Sequence, residues 1–590
     1  MNSIVSALDK RMNAKKLGEN GHVENCWSFN QDELVVQFFF QLVRTKDTSI
    51  LEQKLEYLLQ NLTFSEHYDS LTILYKLIGQ TRDLVEGKGE CDLTWMQLEV
   101  WYRYYPELAF KAFLLCVDSR HDALNGHQYG SWKDIKYFLS YLKHKDAEDC
   151  SLVDRILREI AIPALKRDEK LLSEGKPVSL IGRWIPREKS SKKFNWIFKK
   201  LSKIMYPEFA VRPPGGWKDR EQQSKSSTKQ KIHLKKLLVR LSGSNGGSDT
   251  PQVKMAGKCW GKINFNKVTS VTLRNQKRAI LNKDKKGDSR SQDKDRITCA
   301  SNYVEHVKKC VSGEKFVTIH GRRLDVGQLA KDGFTYDANS DDIHKTLRHT
   351  INLQWKSQSQ NNKGLENVPI VAMADTSGSM ECDDGLPLNN SIGLAIRISE
   401  LCHPAFRNRI LTFDAIPKWI NLEDCTDFVA KAKKVKNASW GMNTDFHLAI
   451  DEMIKALVEN DTDPSVVKKI VLAVFSDMQF DQRQHNINIF DNAYEAITIK
   501  FYEAGMRTTH CMPYEPPHIL FWNLRKTQGF PSTTLTKNIT FLSGYSSTLL
   551  NIFTNKGIDA LREVTPKSML HDLLNTKRYS PLEENIKAFY

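Results

Sequence analysis

Two short apolar segments that run directly into acidic residues constrain the fold of this chain more than any other feature. Val368–Ala374 is followed by Asp375, and Ile470–Phe475 is followed by Ser476 and Asp477. Continuous apolar runs of this length are typical of strands buried on both faces of a parallel sheet. Since such sheets bind ligands beyond the carboxyl ends of their strands, the residues after each run are the first candidates for function.

Strand and helix patterns alternate through the rest of residues 365–590. The further candidate strands are Arg409–Phe413, Pro417–Ile420, His518–Leu524 and Ile539–Leu542. The candidate helices are Ile392–Leu401, Phe446–Leu457 and Tyr494–Ala504. This alternation predicts a doubly wound, Rossmann-like α/β domain over residues 365–590.

Residues 31–215 show helical periodicity instead. The amphipathic segments include Glu33–Val43, Leu93–Tyr105, Leu108–Val117 and Leu152–Leu165. Short helices separated by short breaks, such as one at Pro163, predict paired antiparallel helices stacked as a HEAT-like region. Because no repeat period stands out, a compact helical bundle stays open as the alternative. The predicted fold class is α plus α/β, with residues 1–30 as a flexible N-terminal tail.

The positive charge of the chain is concentrated in one segment. Between Lys218 and Asp295 there are 20 Lys or Arg and 7 Asp or Glu, which accounts for +13 of the formal charge of +16. We interpret residues 216–350 as a basic, partly flexible continuation of the helical region, with folded elements at Val253–Trp260 and Ile263–Leu281. This charge favours single-stranded or structured RNA as a partner, and a solvated linker is the alternative. The candidate phosphate-binding residues are Lys231, Lys235, Lys236 and Arg240.

Several functional classes lack support in the sequence. No apolar run approaches the ~20 residues that span a bilayer, and the N-terminus has no apolar signal segment. The eleven cysteines are scattered, without a Cys-x-x-Cys pair, which indicates reduced thiols in a cytoplasmic compartment. The sequence contains neither His-Glu-x-x-His nor Gly-x-Ser-x-Gly, so a zinc or serine hydrolase has no support. The run from Gly87 to Glu90 lacks the spacing of a phosphate-binding loop, and we interpret it as an exposed turn between helices.

Oxygen-bearing side chains follow three of the strand-end positions. Asp375, Ser377 and Ser379 form an Asp-x-Ser-x-Ser motif, Thr444 opens a later helix, and Asp477 ends the second apolar run. Carboxylates with hydroxyls and water suit Mg²⁺, with Mn²⁺ or Ca²⁺ as alternatives. A carboxylate or phosphate from a partner would complete the shell of such an ion. The alternative is that these residues only cap strand ends and helices.

This constellation resembles the metal-ion-dependent adhesion site (MIDAS) of von Willebrand factor A domains. The resemblance implies a Rossmann-like fold for residues 365–590. Its five implied metal ligands are Asp375, Ser377, Ser379, Thr444 and Asp477. In that family the hydroxyls ligate directly and the aspartates act directly or through water. The third loop departs from the family, because Asp477 is followed by Met478 where glycine is common.

The whole chain is also similar to a family from plants, fungi, protists and giant viruses with a helical N-terminal part and an A-type C-terminal part. The segments that carry this likeness are Arg82–Glu90, Trp184–Lys189, Val253–Met255, Val268–Ser270 and Phe475–Phe480. The two-part layout resembles that of the Ro autoantigen, in which a TROVE module of helical repeats forms a ring that binds RNA ends and precedes an A-type domain.

These observations together predict a non-catalytic, metal-dependent scaffold protein. It is expected to associate with RNA or a ribonucleoprotein, and to engage a carboxylate of a protein partner through Mg²⁺. One alternative is a protein adaptor for an AAA-type ATPase or another assembly without RNA. A metal-dependent phosphohydrolase is disfavoured, because no general base accompanies the metal ligands in the sequence.

Overall fold

A computed structural model describes residues 15–145, 151–210, 220–242, 250–336, 342–360, 364–413, 416–438, 446–480, 493–554 and 558–590. Eight strands occur in these ranges: β1 (Lys15–Leu17), β2 (Val23–Asn25), β3 (Ile370–Asp375), β4 (Arg409–Phe413), β5 (Lys418–Asn421), β6 (Val471–Ser476), β7 (His518–Asn523) and β8 (Ile539–Ser543). None of the described helices is both long and apolar enough to cross a bilayer.

The helices before the sheet follow one another closely, as predicted. The longer ones are Gln31–Gln41, Ser49–Asn61, Phe64–Arg82, Asp92–Tyr104, Pro106–Val117, Asp134–His144, Ile162–Ser173, Lys192–Met205, Arg220–Ser242, Ser270–Ile280, Lys294–Val311, Val326–Gly333 and Asp342–Ser359. Shorter helices are Ser151–Arg155, Ile181–Trp184 and Pro251–Ala256. The predicted many-helix N-terminal region is therefore confirmed.

Strands β3 to β8 form a six-stranded sheet of order β5-β4-β3-β6-β7-β8. All neighbouring strands are parallel except β4 and β5, which are antiparallel. The helices of this part are Cys382–Leu401, Phe428–Ala438, Phe446–Glu459, Pro464–Val467, Ala493–Met506, Ile558–Leu561, Pro566–Leu574 and Ser580–Lys587. The predicted α plus α/β class is confirmed, and every candidate strand overlaps an observed one.

Alternate residues of the central strands enter two separate hydrophobic cores. Val371 and Met373 of β3 face a core that includes helix Phe446–Glu459. Ala372 and Ala374 face a second core, which continues without interruption into the helical region. Side chains in a strand alternate between faces, so two apolar cores explain why this strand shows no polar alternation.

Residues 15–25 pack against the α/β part of the protein instead of forming a free tail. Strands β1 and β2 pair as an antiparallel hairpin. Asn25 and Phe530 then exchange two backbone hydrogen bonds, at 2.9 and 3.1 Å. This corrects the flexible tail predicted for residues 1–30 over its described part, because pairing with a distant loop leaves no local signature in sequence.

Two further sequence expectations need correction. Within the segment 216–350, which the sequence predicts to be partly flexible, the serine- and lysine-rich residues 224–231 lie in helix Arg220–Ser242, where buried Leu234 and Leu238 anchor one face. Pro163 does not end a helix but stands at the start of helix Ile162–Ser173. A π-helical segment, Ile156–Ala161, precedes it, and such wider turns accommodate the hydrogen bond that proline cannot donate.

Candidate metal centre

The candidate site lies where the strand order of the sheet reverses. Strands β3 and β6 are neighbours, while the chain proceeds from β3 towards β4 on one side and from β6 towards β7 on the other. At such a switch point the connections diverge and leave a crevice at the carboxyl ends of the strands. Asp375 is the last residue of β3, and Asp477 directly follows β6. Both aspartates are fully buried.

Two hydroxyl groups bind the Asp375 carboxylate, and a third hydroxyl contacts one of them. Ser377 donates to its Oδ1 from both the backbone N, at 3.0 Å, and Oγ, at 2.7 Å. Ser476 Oγ donates to Oδ2 at 2.6 Å. Ser379 Oγ lies 3.1 Å from Ser377 Oγ, and its side chain is half-buried. The structure therefore brings together the three residues of the Asp-x-Ser-x-Ser motif as predicted.

The spacing and chemistry of these oxygens fit a small divalent cation. Mg²⁺ binds oxygen at 2.0–2.1 Å in octahedral geometry, which places neighbouring ligand oxygens about 3 Å apart. The separation between Ser377 Oγ and Ser379 Oγ, 3.1 Å, matches this value. Thr376 Oγ1, between them and Asp375 in sequence, is buried without a hydrogen-bond partner among the described residues. Hard oxygen donors of this kind suit Mg²⁺ or Mn²⁺.

Two buried carboxylates face each other across β3 and β6. The pKa of Asp375 is raised to about 7, chiefly by burial and also by the charge of Asp477, while hydrogen bonds from Ser476 and Ser377 oppose the shift. A buried carboxylate pair is unfavourable unless a proton or cation neutralises it. Among the described residues, no three His, Cys, Asp or Glu side chains cluster as a metal site, and this site has two carboxylates beside its hydroxyl groups.

The loop after β6 has the backbone conformation that glycine favours, although it contains none. Met478 adopts φ of +64°, in the left-handed region, and its side chain is buried. Gln479 donates its backbone N–H to Asp477 Oδ1 at 3.0 Å. The loop thus holds Asp477 in a fixed orientation without a glycine. The strain of a non-glycine residue here is on the order of 1 kcal/mol.

Arg525 and the N-terminal hairpin complete one side of the site, and sequence reasoning missed both. Arg525 Nε donates to Asp477 Oδ2 at 3.0 Å, and a second nitrogen of Arg525 contacts Glu19 at 2.6 Å. Burial alone would lower the pKa of Arg525, but the charge of Asp477 raises it. Because Arg525 lies two residues beyond β7, an inspection of every strand end would have found it.

Gln479 links the β1–β2 hairpin to the loop after β6. Its Oε1 accepts from the backbone N–H of Glu19 at 2.7 Å, and its carbonyl accepts from Asn20 Nδ2 at 2.9 Å. Its Nε2 donates to Glu24 at 3.1 Å. Residues more than 450 positions apart in sequence therefore meet at this edge of the site.

The remaining predicted ligand, Thr444, lies outside the described residues. The predicted nucleic-acid residues are on helix Arg220–Ser242. Lys235 and Lys236 are exposed. Lys231 is 3.7 Å from Glu188, and Arg240 is 3.1 Å from Glu169, both at the protein surface. Surface pairs of this type contribute about 0–1 kcal/mol, so they leave the charges available to a polyanion.

The Gly87–Glu90 turn is buried, which corrects the expected exposed turn. The Lys88 ammonium donates to the carbonyls of Phe39 and Leu42 at 3.0 and 2.9 Å, and to Ser543 Oγ at 2.6 Å. Burial lowers the pKa of Lys88 well below its ordinary value. This lysine joins the helical region to β8, and its hydrogen-bonding groups are used within the protein.

Comparisons with known proteins cover both parts of the chain. The sequence profile of a family described as Domain of unknown function (DUF7788) matches residues 369–584, which include the entire six-stranded sheet. No curated protein matches the chain. Among solved structures, the chain is similar to the crystal structure of Deinococcus radiodurans RO (RSR) protein. That match has 11% identity and a TM-score of 0.37, and covers 91% of this chain and 100% of that chain.

Proposed function

We propose that residues 365–590 form an A-type domain that binds a divalent cation and, through it, a carboxylate of a protein partner. The observation that carries the proposal is the position of Ser377 Oγ and Ser379 Oγ, 3.1 Å apart beside Asp375. These hydroxyls, with Asp477, would hold Mg²⁺ or Mn²⁺. Neutral hydroxyl ligands leave the ion electrophilic, so an acidic side chain of a partner would complete its shell.

The same site favours binding over catalysis. Among the described residues, the hydroxyl of Ser377 hydrogen-bonds with Asp375 and Ser379, and neither is a histidine. A serine nucleophile needs an adjacent base, and a metal-assisted phosphohydrolase needs a base that activates water. We therefore assign the domain a scaffold role, and metal-dependent phosphate release by the purified protein would contradict that assignment.

Metal titration of the full chain tests the site. Asp375→Ala combined with Ser377→Ala is expected to abolish binding of Mn²⁺ measured by calorimetry, because it removes one carboxylate and one hydroxyl. The matched control is Asp463→Ala with Ser465→Ala. This pair has the same Asp-x-Ser turn, with Ser465 N donating to Asp463 Oδ1 at 2.7 Å. Equal Mn²⁺ affinity in the two double variants would contradict the proposed site.

A second candidate function, RNA binding, is favoured by the basic face of helix Arg220–Ser242. Single-stranded RNA affinity should fall with salt at a log–log slope of about −0.7 per phosphate contact. Replacing Lys231, Lys235, Lys236 and Arg240 with Gln should make this slope shallower by up to about 3. The control replaces four lysines whose side chains are 61–66% exposed: Lys176, Lys455, Lys537 and Lys587.

The outcome separates a ribonucleoprotein scaffold from a protein adaptor. If the four substitutions reduce the slope and the control does not, the basic helix contacts RNA phosphates. If the wild-type protein binds no RNA at low salt but still binds Mn²⁺, the adaptor function is the better assignment. An unchanged slope in the helix variant would exclude these four residues as the phosphate contacts.

A further inference from the structure

A polar cavity separate from the metal site lies where the helical region meets the carboxyl end of β8. Its volume is 340 Å³, and its lining comes from both parts of the chain. The lining includes Tyr545 and Thr548, just beyond β8, together with Lys133 and Arg323 from the helical region. Small-molecule sites have volumes of about 300–1,000 Å³ and favour the junctions between domains.

Two hydrogen-bond acceptors in the lining have no donor among the described residues. Gln358 is 3% exposed, and while its Nε2 donates to Ser547 Oγ at 2.6 Å, its Oε1 has no partner. Asp325 Oδ1 accepts from the backbone N–H of Gly327 at 2.9 Å, but Oδ2 has no hydrogen bond and only a long ion pair with Arg44 Nη1, at 3.9 Å. Buried acceptors without donors cost about 1–3 kcal/mol each, so their presence in a cavity points to a ligand that donates.

Two other arginines of the lining, Arg44 and Arg274, already make salt bridges within the protein. Arg44 makes a bidentate pair with Glu90 at 2.8 and 2.9 Å. Arg274 makes one with Asp332 at 3.1 and 3.0 Å. Glu90 therefore offsets the charge of Arg44, while Asp332 is shared by Arg274 and Lys277, the latter at 2.6 Å. Both guanidinium groups are held by carboxylates of the protein.

Lys133 and Arg323 are different, because neither makes a salt bridge with a carboxylate among the described residues. The charge of Asp83, which also lines the cavity, does act on Arg323, but Asp83 is paired with Arg578. Lys133 is half-buried at the cavity wall. Arg323 is exposed at the rim, and it donates to the carbonyl of Leu84, an uncharged acceptor. These two cations, together with the two acceptor oxygens that lack a hydrogen-bond donor, favour a ligand with an anionic end and a hydroxyl-bearing end.

We propose that this cavity binds an organic phosphate that carries neighbouring hydroxyl groups, of the size of a pentose phosphate or nucleoside monophosphate. The phosphate contacts Lys133 and Arg323 in charge-assisted hydrogen bonds. Its hydroxyls donate to Asp325 Oδ2 and Gln358 Oε1. Because the wall residues belong to both parts of the chain, the bound ligand holds the helical region against the end of β8. The site shares no residue with the proposed metal centre and does not depend on it.

Calorimetry on the full chain at pH 7.5, with ribose 5-phosphate as the probe, tests the proposal. Inorganic phosphate and ribose are the partial probes, and each is expected to bind at least about tenfold more weakly than ribose 5-phosphate. Lys133→Gln should lower the affinity for ribose 5-phosphate at least about tenfold, because it removes one charged contact. Lys176→Gln, on the exposed surface, is the matched control and should change nothing.

Asp325→Asn separates the hydroxyl contact from a folding defect. Asn retains Oδ1 as the acceptor for Gly327 N and remains a good helix cap, but presents an N–H donor in place of Oδ2. It should weaken ribose 5-phosphate binding and leave inorganic phosphate binding unchanged or tighter. Absence of ribose 5-phosphate binding at millimolar concentration would overturn the proposal. Equal affinities for inorganic phosphate and ribose 5-phosphate, or unaltered binding by Lys133→Gln, would also overturn it.

Discussion

Arg578→Met should detach the C-terminal helices from the helical region. Arg578 makes a bidentate pair with Asp83 at 2.6 and 2.5 Å, and Asp83 is fully buried. The same guanidinium donates to the carbonyls of Leu124 and His127 at 3.2 and 3.1 Å. Methionine fills a similar volume, but leaves the Asp83 charge and both carbonyls without these donors.

The expected cost follows from burial. Removing one partner of a buried ion pair costs about 3–5 kcal/mol, because the remaining charge stays desolvated. A loss of 4 kcal/mol lowers the folded-to-unfolded ratio by about three orders of magnitude. Asp83→Asn together with Arg578→Met should cost less than the sum of the single variants, since the double variant has no buried charge.

Urea denaturation followed by tryptophan fluorescence measures these free energies. Hydrogen exchange then locates the loss, which should be concentrated in residues 566–587 and in helix Phe64–Arg82. Arg155→Met is the matched control, because Arg155 also makes a bidentate pair, with Glu159 at 3.0 and 3.3 Å, but at the surface. Its cost should be below about 1 kcal/mol.

Two results would refute this reasoning. One is an Arg578→Met variant that loses no more free energy of unfolding than Arg155→Met. The other is exact additivity of Asp83→Asn and Arg578→Met, which would mean that the two side chains do not stabilise each other.

Two further predictions concern pH and the hairpin. Burial lowers the pKa of His518 to about 4. In the unfolded chain His518 binds a proton with a pKa near 6.5, whereas in the folded protein it stays neutral down to about pH 4. As the pH falls from 7 to 5, His518 should therefore lower the free energy of unfolding by about 2 kcal/mol. His518→Gln should remove that part of the pH slope in urea titrations, and an unaltered slope would contradict the assignment. Gly529→Ala should displace the β1–β2 hairpin, because a Cβ there would lie 1.7 Å from the Glu24 carboxyl carbon. Limited proteolysis should then cleave within residues 15–25, whereas Gly333→Ala, with no atom closer than 3.7 Å, should leave them protected.

The strands and the core of the candidate metal site were predictable because they depend on local pattern. Arg409–Phe413 was predicted at its observed bounds, and Val471–Ser476 within one residue, since continuous apolar runs report burial on both faces. Asp375, Ser377 and Ser379 lie within five positions, so a single turn after β3 is enough to bring them together.

Contacts between distant segments were decided only by the tertiary structure. Nothing in the pattern of residues 15–25 indicated that Glu19 would contact Arg525, 506 positions away. The partners of Lys88 and Arg578 are likewise remote in sequence, and each charge lies in a junction that forms only when both parts of the chain pack. Local periodicity specifies helices, strands and the faces they bury, whereas the partner of a buried charge is selected by the three-dimensional packing that removes it from water.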